Sequence, residues 1–287
     1  MAREWDDLRG IHRAFGPEME RAIREALQRL GNPSEIVRDL LARGDIDRAV
    51  AALPWADSMS ALEQRIYRMA LLVQARAARE ATQRHSLSYS FDLRNPSAIR
   101  AAQQQAGDLI REVTVETRLA VRDIVVRGQR DGIDVREQAT LIRQHVGLTR
   151  RQANAVYNFR QGLVERGYPP DKVDRMTQRK HDQGVRFRSR MIARTETIKA
   201  SNSGQQELWR QARDSGVIPA TARRVWVASP DACPYCEPMN GQVVGLEENF
   251  TSGATRTRTG ALRRLEPALT PPIHPQCRCS LSLELAA

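Results

Sequence analysis

The 287-residue chain is long enough to bury a sizeable core in two domains, and no apolar run approaches the length of a transmembrane helix, about 18 residues. Its net charge of +11 comes entirely from the residues after 80, because residues 1–80 carry 13 basic and 13 acidic side chains. The excess favours an anionic partner, with nucleic acid as the leading candidate. The N-terminus is acidic and lacks an apolar segment, so we expect no secretory signal, synthesis in the cytosol and reduced thiols.

The first region, residues 1–90, is predicted to be helical and to bind a protein partner. Turns at Gly31-Asn-Pro33 and Leu53-Pro-Trp55 separate its helices, and the longest predicted helix covers residues 60–83. Five apolar side chains recur there at helical spacing: Leu62, Ile66, Met69, Leu72 and Val73. Such a stripe is typical of core packing or of a partner helix, and the balanced charge argues against DNA as the first partner.

The second region, residues 91–216, is predicted to form a helical core. The last of its helices is expected to break near Gly184, and Asp134 and Thr149 are expected N-caps. The predicted helices cover residues 96–109, 111–130, 134–144, 149–166 and 169–215.

Two stretches of this region suggest DNA contact. A helix-turn-helix over residues 134–166 would place Arg150, Arg151 and Asn154 in the major groove, although a helical hairpin with a solvated basic face explains the same pattern. Farther on, cations crowd one helix with only Asp182 opposing them. They form either a solvated face or a surface that binds phosphates without reading bases. The crowded cations are Arg175, Arg179, Lys180, Arg186, Arg188, Arg190 and Arg194, and we select Arg186, Arg188 and Arg190 as candidate DNA contacts.

The third region, residues 217–287, is predicted to be a small α+β module. Strands are expected at Arg224–Ala228, Gln242–Val244 and Leu281–Leu285. Residues 251–264 contain four arginines and no acid, which predicts a flexible basic loop. Its arginines are candidate DNA contacts, with disorder without a ligand as the alternative: Arg256, Arg258, Arg263 and Arg264.

All four cysteines lie in this module, as Cys233-Pro-Tyr-Cys236 and His274-Pro-Gln-Cys277-Arg-Cys279. Each spacing can grip one ion from a tight turn, and four such ligands fill a tetrahedral zinc shell. We predict a structural zinc site formed by Cys233, Cys236, His274 and Cys277, with Cys279 as the alternative ligand. The ion would clamp a segment too small for a core of its own. Two disulfides, packed thiols, and redox or catalytic cysteines remain open alternatives.

Two specific catalytic interpretations of these cysteines fail. Cys-Pro-Tyr-Cys is also the active-site sequence of glutaredoxins, but Glu237-Pro-Met-Asn-Gly241 interrupts the helix that their fold requires next. Zinc deaminases need H-x-E and P-C-x-x-C, whereas Ala232 precedes Cys233 and no H-x-E occurs. HExxH, Walker A and GxSxG motifs are absent as well.

A resemblance to a known family emerges from the order of the motifs. Ala193-Arg-Thr-Glu196 is followed by Asn202, Trp209, the C-x-x-C pair and the ending Pro271-Pro-x-His-Pro-x-Cys-Arg-Cys279. Over roughly residues 95–285 this order resembles the phage Mu F-like family of minor head proteins.

The resemblance implies a minor capsid protein that acts in head morphogenesis of a tailed bacteriophage, located inside the head after assembly in the host cytoplasm. It implies association with the portal protein and non-specific contact with packaged double-stranded DNA, without membrane or catalytic function. The major capsid protein and a scaffolding protein are further candidate partners. The alternative function is a zinc-containing nucleic-acid-binding regulatory protein.

Arg194 and Glu196 stand two residues apart on a helix and therefore point to different faces. We hypothesise that one of them makes a buried, charged hydrogen bond that locks the helix against the cysteine module. The expected fold is thus mainly α, with helical N-terminal and central regions and a C-terminal module clamped by the Cys/His cluster.

Overall fold

The computed structural model describes residues 2–30, 34–256 and 262–285. By contacts the chain divides into two compact units. Unit 1 comprises residues 1–20, 66–106 and 191–287, and unit 2 comprises residues 21–65 and 107–190. The functional division predicted at residues 90 and 216 stays a prediction.

Helices dominate the described part of the chain, as predicted. They are α1 (Ala2–Arg29), α2 (Glu35–Ala42), α3 (Ile46–Ala51), α4 (Trp55–Arg84), α5 (Pro96–Arg130), α6 (Val135–His145), α7 (Arg150–Glu165) and α8 (Pro170–Asp214). Within the described ranges, none of these helices is both long and apolar enough to cross a membrane.

Two predicted helix boundaries are wrong. The helices predicted over 96–109 and 111–130 are one helix, α5, and α8 continues without a break through Gly184. A Cβ at Gly184 would come within 2.8 Å of Leu148 Cδ2. Glycine is therefore present because unit 2 packs closely there, and the helix tolerates it at a cost of about 1 kcal/mol relative to alanine.

The turn between α6 and α7 is held from α8, within unit 2. Thr149 caps α7 in a capping box with Gln152, as its sequence predicts. His181 Nε2 donates to the Val146 carbonyl at 2.9 Å, and Arg188 Nη1 donates to the Gly147 carbonyl at 2.9 Å. Two side chains of α8 thus satisfy consecutive carbonyls that the end of α6 leaves without helical partners.

Small residues bring the helices of unit 1 close together. One buried cluster consists mainly of alanines on α4, α5 and α8, among them Ala70, Ala77, Ala102 and Ala200. At Gly204 the approach is closest, because an added Cβ would lie 2.5 Å from the backbone of Gln74.

The C-terminal module contains a three-stranded antiparallel sheet in the order β2-β1-β5. Its strands are β1 (Arg223–Val227), β2 (Val243–Gly245) and β5 (Ser280–Glu284), close to the predicted positions. A second, two-stranded ribbon pairs β3 (Thr255–Arg256) with β4 (Leu262–Arg263). The predicted fold class, mainly α with a small C-terminal α+β module beside a Cys/His cluster, is confirmed.

A buried arginine supports the loops of this module. Arg224 is 0 % exposed, and its guanidinium donates to the carbonyls of Gly245, Glu248 and Leu269 and stacks on Phe250. Burial lowers the pKa of Arg224 to about 10. Because three carbonyls converge on one side chain, Arg224 ties β2 to the segment that follows β4.

Candidate metal centre

Two similar turns present the predicted ligands. In the first, the Cys236 amide donates to the Cys233 carbonyl at 2.9 Å, and in the second the Cys277 amide donates to the His274 carbonyl at 3.1 Å. Gln276 has φ +64°, a left-handed conformation that is uncommon for residues other than glycine. Each turn therefore places its first and last side chains on the same side, which is the geometry that the spacing predicted.

The two turns face each other within unit 1. His274 Nε2 lies 3.1 Å from Cys233 Sγ and 3.3 Å from Cys236 Sγ, and Cys236 Sγ lies 3.7 Å from Cys277 Sγ. Donor atoms group in two triads, one of Cys233, Cys236 and His274 and the other of Cys236, Cys277 and Cys279. Cys236 belongs to both triads, so the structure brings all five predicted donors together around it.

The chemistry of the donors fits a soft or borderline cation. All four cysteines are free thiols, and Cys236, Cys277 and Cys279 are buried. Thiolates and one imidazole are the ligands that zinc takes in structural sites. The geometry therefore can hold a metal ion.

Hydrogen bonds among the thiols shift their pKa values in opposite directions. The hydrogen bond between Cys236 and Cys277 lowers the pKa of Cys277 and raises the pKa of Cys236. A backbone hydrogen bond from Cys279 also lowers the pKa of Cys277. A metal that binds here would displace the remaining thiol protons, because only thiolates are good ligands.

An apolar core surrounds the cluster. Cys236, Cys277 and Cys279 pack in one buried group with Trp209 of α8 and Trp226 of β1. On the exposed side, Arg278 forms an ion pair with Asp231, which also accepts a hydrogen bond from the Ser229 hydroxyl. The three buried sulfurs therefore lie in an apolar environment.

The hypothesis that Arg194 or Glu196 locks α8 against the module stays a prediction. Glu196 accepts a hydrogen bond from Gln105 of α5 at 2.9 Å. Burial is the main cause of the lowered pKa of His12, and the positive charge of Arg194 is the second cause.

Arg210 and Arg213 of α8 donate to Glu247 of the module. Further hydrogen bonds join α8 to the module at Thr195, Asn202 and Gln206. Their spacing of seven and four residues places them on one helix face, a signal that the sequence contained.

The predicted DNA contacts are only partly at the surface. Arg186 and Arg190 are exposed, but the prediction for Arg188 is wrong. Arg188 is 1 % exposed and donates to Glu116 at 2.6 Å and to Thr117 at 3.0 Å, so its guanidinium is not available to phosphates.

The predicted basic loop is described in part. Arg264 is exposed. Arg256 and Arg263 lie in β3 and β4, whose side chains are outside the description at these positions, and Arg258 lies outside the described residues.

The side chains of the helix-turn-helix interpretation are engaged within unit 2. Arg150 donates to Asp123 at 2.6 Å, and Asn154 accepts a hydrogen bond from Arg127 at 3.2 Å. Arg151 is exposed. Two of the three side chains proposed to enter the major groove therefore already have protein partners, which favours the helical hairpin.

The comparisons with known proteins agree with the order of the motifs. The family described as Phage Mu protein F like protein matches residues 120–282, more than half of the chain, including both turns of the metal centre and all of α8. Searches of curated proteins and of solved structures give no match. The chain therefore belongs to the phage Mu F-like family, which indicates a phage head morphogenesis protein of the virion.

Proposed function

We propose that this head protein is a minor capsid component that associates with the portal inside the head and contacts packaged DNA without sequence preference. The observation that carries the DNA proposal is a stripe of exposed arginines on α8, formed by Arg175, Arg179, Arg186 and Arg190. At 100° per residue these four side chains fall within about 60° of one helix face.

The dimensions of the arginine stripe suit a phosphate backbone. Fifteen residues separate its ends, which corresponds to about 22 Å along the helix axis. A duplex of that length carries roughly a dozen phosphate charges. Arg175 pairs with Asp171 at 3.1 Å, but their side chains are 67 % and 70 % exposed, so the pair is weak and phosphate can replace the carboxylate.

The salt dependence of DNA binding tests this proposal. We expect replacement of the four stripe arginines by glutamine to reduce the slope of log K against log salt by up to about 3.6, or about 0.9 for each phosphate that the protein no longer neutralises. The control variant replaces four exposed arginines that lie outside the stripe: Arg9, Arg48, Arg94 and Arg111. Both variants lose four charges, so an equal fall in the two slopes would contradict a local DNA surface.

The same assay separates a head protein from the regulatory alternative. A head protein binds unrelated duplexes with similar affinity and a steep salt slope. A regulator prefers its own site by about a thousandfold or more. A selected sequence with such a preference would overturn the proposal in favour of the regulator.

Contacts with the portal are proposed within residues 1–90. Their supports are the balanced charge of residues 1–80 and, taken separately, an exposed apolar side chain from each unit, Ile36 of α2 at 66 % and Leu72 of α4 at 56 %. Apolar anchors surrounded by polar groups are typical of protein interfaces. Ile36→Ser and Leu72→Ser should each weaken co-purification with the portal protein, whereas Val164→Ser, at 48 % exposure on α7, should not. Loss of major capsid or scaffolding protein instead would identify a different partner.

We further propose that the metal centre binds zinc and that its role is structural, not catalytic. Five protein donors are available for four positions, so the protein alone can close the coordination shell. Zinc would stabilise the turns of a module whose sheet has only three short strands. Assembly would take place in the host cytoplasm, where thiols remain reduced.

A further inference from the structure

We propose that Thr195, the third residue of the Ala193-Arg-Thr-Glu196 motif, is a positioning residue of the metal centre, with Asn202 as its companion two turns farther along α8. The inference rests on the proposed binding of a metal by the Cys/His cluster. It assigns to α8 a role in the geometry of the second ligand turn, from His274 to Cys277.

Thr195 holds this turn through a single hydroxyl group. Its Oγ1 accepts a hydrogen bond from the Gln276 amide at 3.0 Å and donates one to the Met191 carbonyl at 3.0 Å. The hydroxyl both accepts and donates, so its orientation is fixed. The amide that it binds belongs to the residue with φ +64°, directly before the ligand Cys277. Thr195 therefore stabilises the backbone conformation that directs Cys277 towards Cys236.

Asn202 holds the chain on the other side of Cys277. Its Nδ2 donates to the Cys279 carbonyl at 3.2 Å and to the Ile198 carbonyl at 3.1 Å, and its Oδ1 accepts a hydrogen bond from the Ser280 hydroxyl at 3.4 Å. Asn202 is 0 % exposed, so water does not compete for these groups. The segment that carries Cys277 and Cys279 is thus fixed to α8 at both of its ends.

The two anchors share one face of a rigid element. Seven residues separate Thr195 from Asn202, which brings them within about 20° of each other around the helix and about 10 Å apart along it. Outer hydrogen bonds of this kind orient metal ligands, and their loss typically lowers metal affinity by about 10- to 100-fold. Because Gln276 is exposed, water can partly replace the threonine, so the effect at Thr195 belongs at the lower end.

The test compares three variants of the full chain by zinc affinity and by the absorption spectrum of bound cobalt. Thr195→Val keeps the shape but removes the hydroxyl, and Thr195→Ser restores it. Thr197→Val is the matched control, because Thr197 also donates to the carbonyl four residues earlier, that of Ala193 at 2.7 Å, yet lies on a different side of α8. We expect about a tenfold weaker zinc affinity and a changed cobalt spectrum for Thr195→Val alone, with recovery in Thr195→Ser.

Four results would overturn the inference, and they are distinguishable. If the wild-type chain bound neither zinc nor cobalt, the metal proposal itself would fail. If the wild type bound metal and Thr195→Val did so with the same affinity and spectrum, only the positioning role would fail. If Thr197→Val caused an equal loss, the effect would be a general weakening of α8. Faster hydrogen exchange of the Gln276 amide in Thr195→Val, even without metal, would show that the hydroxyl holds the turn; unchanged exchange would contradict it.

Discussion

The close approach of α4 and α8 at Gly204 predicts opposite effects for the same substitution at two glycines. In Gly204→Ala, the new Cβ would lie 2.5 Å from Cα and from the carbonyl oxygen of Gln74. Carbon atoms in contact prefer about 3.5–4.0 Å, so the two helices would have to separate by about 1 Å. Because the obstacle is backbone, no change of rotamer relieves it.

The expected loss of stability follows from two opposing contributions. Overpacking of this kind costs typically about 1–3 kcal/mol, and here the upper end applies because the new Cβ meets backbone. Alanine returns about 1 kcal/mol through its higher helix propensity. We therefore expect Gly204→Ala to lower the free energy of unfolding by about 2 kcal/mol.

Gly162→Ala on α7 is the matched control. At Gly162 the nearest atom to an added Cβ is Arg166 Nη2, the end of a flexible side chain, at 4.0 Å. This variant should gain about 0.5–1 kcal/mol. Urea unfolding followed by circular dichroism measures both changes. If Gly204→Ala were as stable as Gly162→Ala, the close packing of α4 on α8 would be refuted.

Three further predictions concern single side chains. Gln276→Gly should raise the free energy of unfolding by about 0.5–1 kcal/mol, because glycine adopts positive φ without strain. Urea unfolding measures this change, and a lower free energy of unfolding in the variant would mean that the turn is not strained. Arg188→Met should lower the free energy of unfolding by about 1–2 kcal/mol, because the Gly147 carbonyl loses its buried donor, whereas Glu116 is 41 % exposed and can be hydrated. An unchanged free energy of unfolding would contradict the burial of Arg188. Burial lowers the pKa of His145 to about 4, so between pH 4 and 6.5 the unfolded chain binds a proton that the native state excludes. The free energy of unfolding should therefore rise with pH across this window, and His145→Gln should reduce the slope of that rise. Part of the slope should remain, because burial also lowers the pKa of His85 to about 4. An unchanged slope in the variant would contradict the burial of His145.

The sequence predicted the features that depend on local spacing. Helical periodicity located α4, α6, α7 and α8 to within a few residues, and the capping residue Thr149 is where its pattern placed it. The C-x-x-C and H-x-x-C spacings predicted two turns that converge, because the distance between ligands within each turn is set by the local chain. These features needed no knowledge of distant contacts.

Features that depend on distant partners escaped prediction. Gly184 suggests a helix break from the sequence alone. In the structure the helix continues, and glycine fits there because Leu148, in the turn between α6 and α7, leaves little room for a Cβ. Arg188 looks like its exposed neighbours Arg186 and Arg190 until the carbonyl of Gly147 is found beside it. The uncharged Thr195, between Arg194 and Glu196, accepts a hydrogen bond from the Gln276 amide of the module, a contact that the sequence did not indicate.

Zinc content tests the central claim most directly. Elemental analysis of the chain purified under reducing conditions should give about one zinc per chain, as expected for a single shell that four of the five donors fill. Cys236→Ser should abolish binding because Cys236 belongs to both triads, and Cys233→Ser should lose zinc together with stability. Cys277→Ser should weaken zinc binding and lower stability, because Cys279 would then have to replace Cys277. Cys279→Ser should retain zinc, since the two turns still supply four donors. A wild-type chain without zinc, equally stable in the presence of a chelator, would contradict the account, because the cysteines would then be packed thiols without a metal.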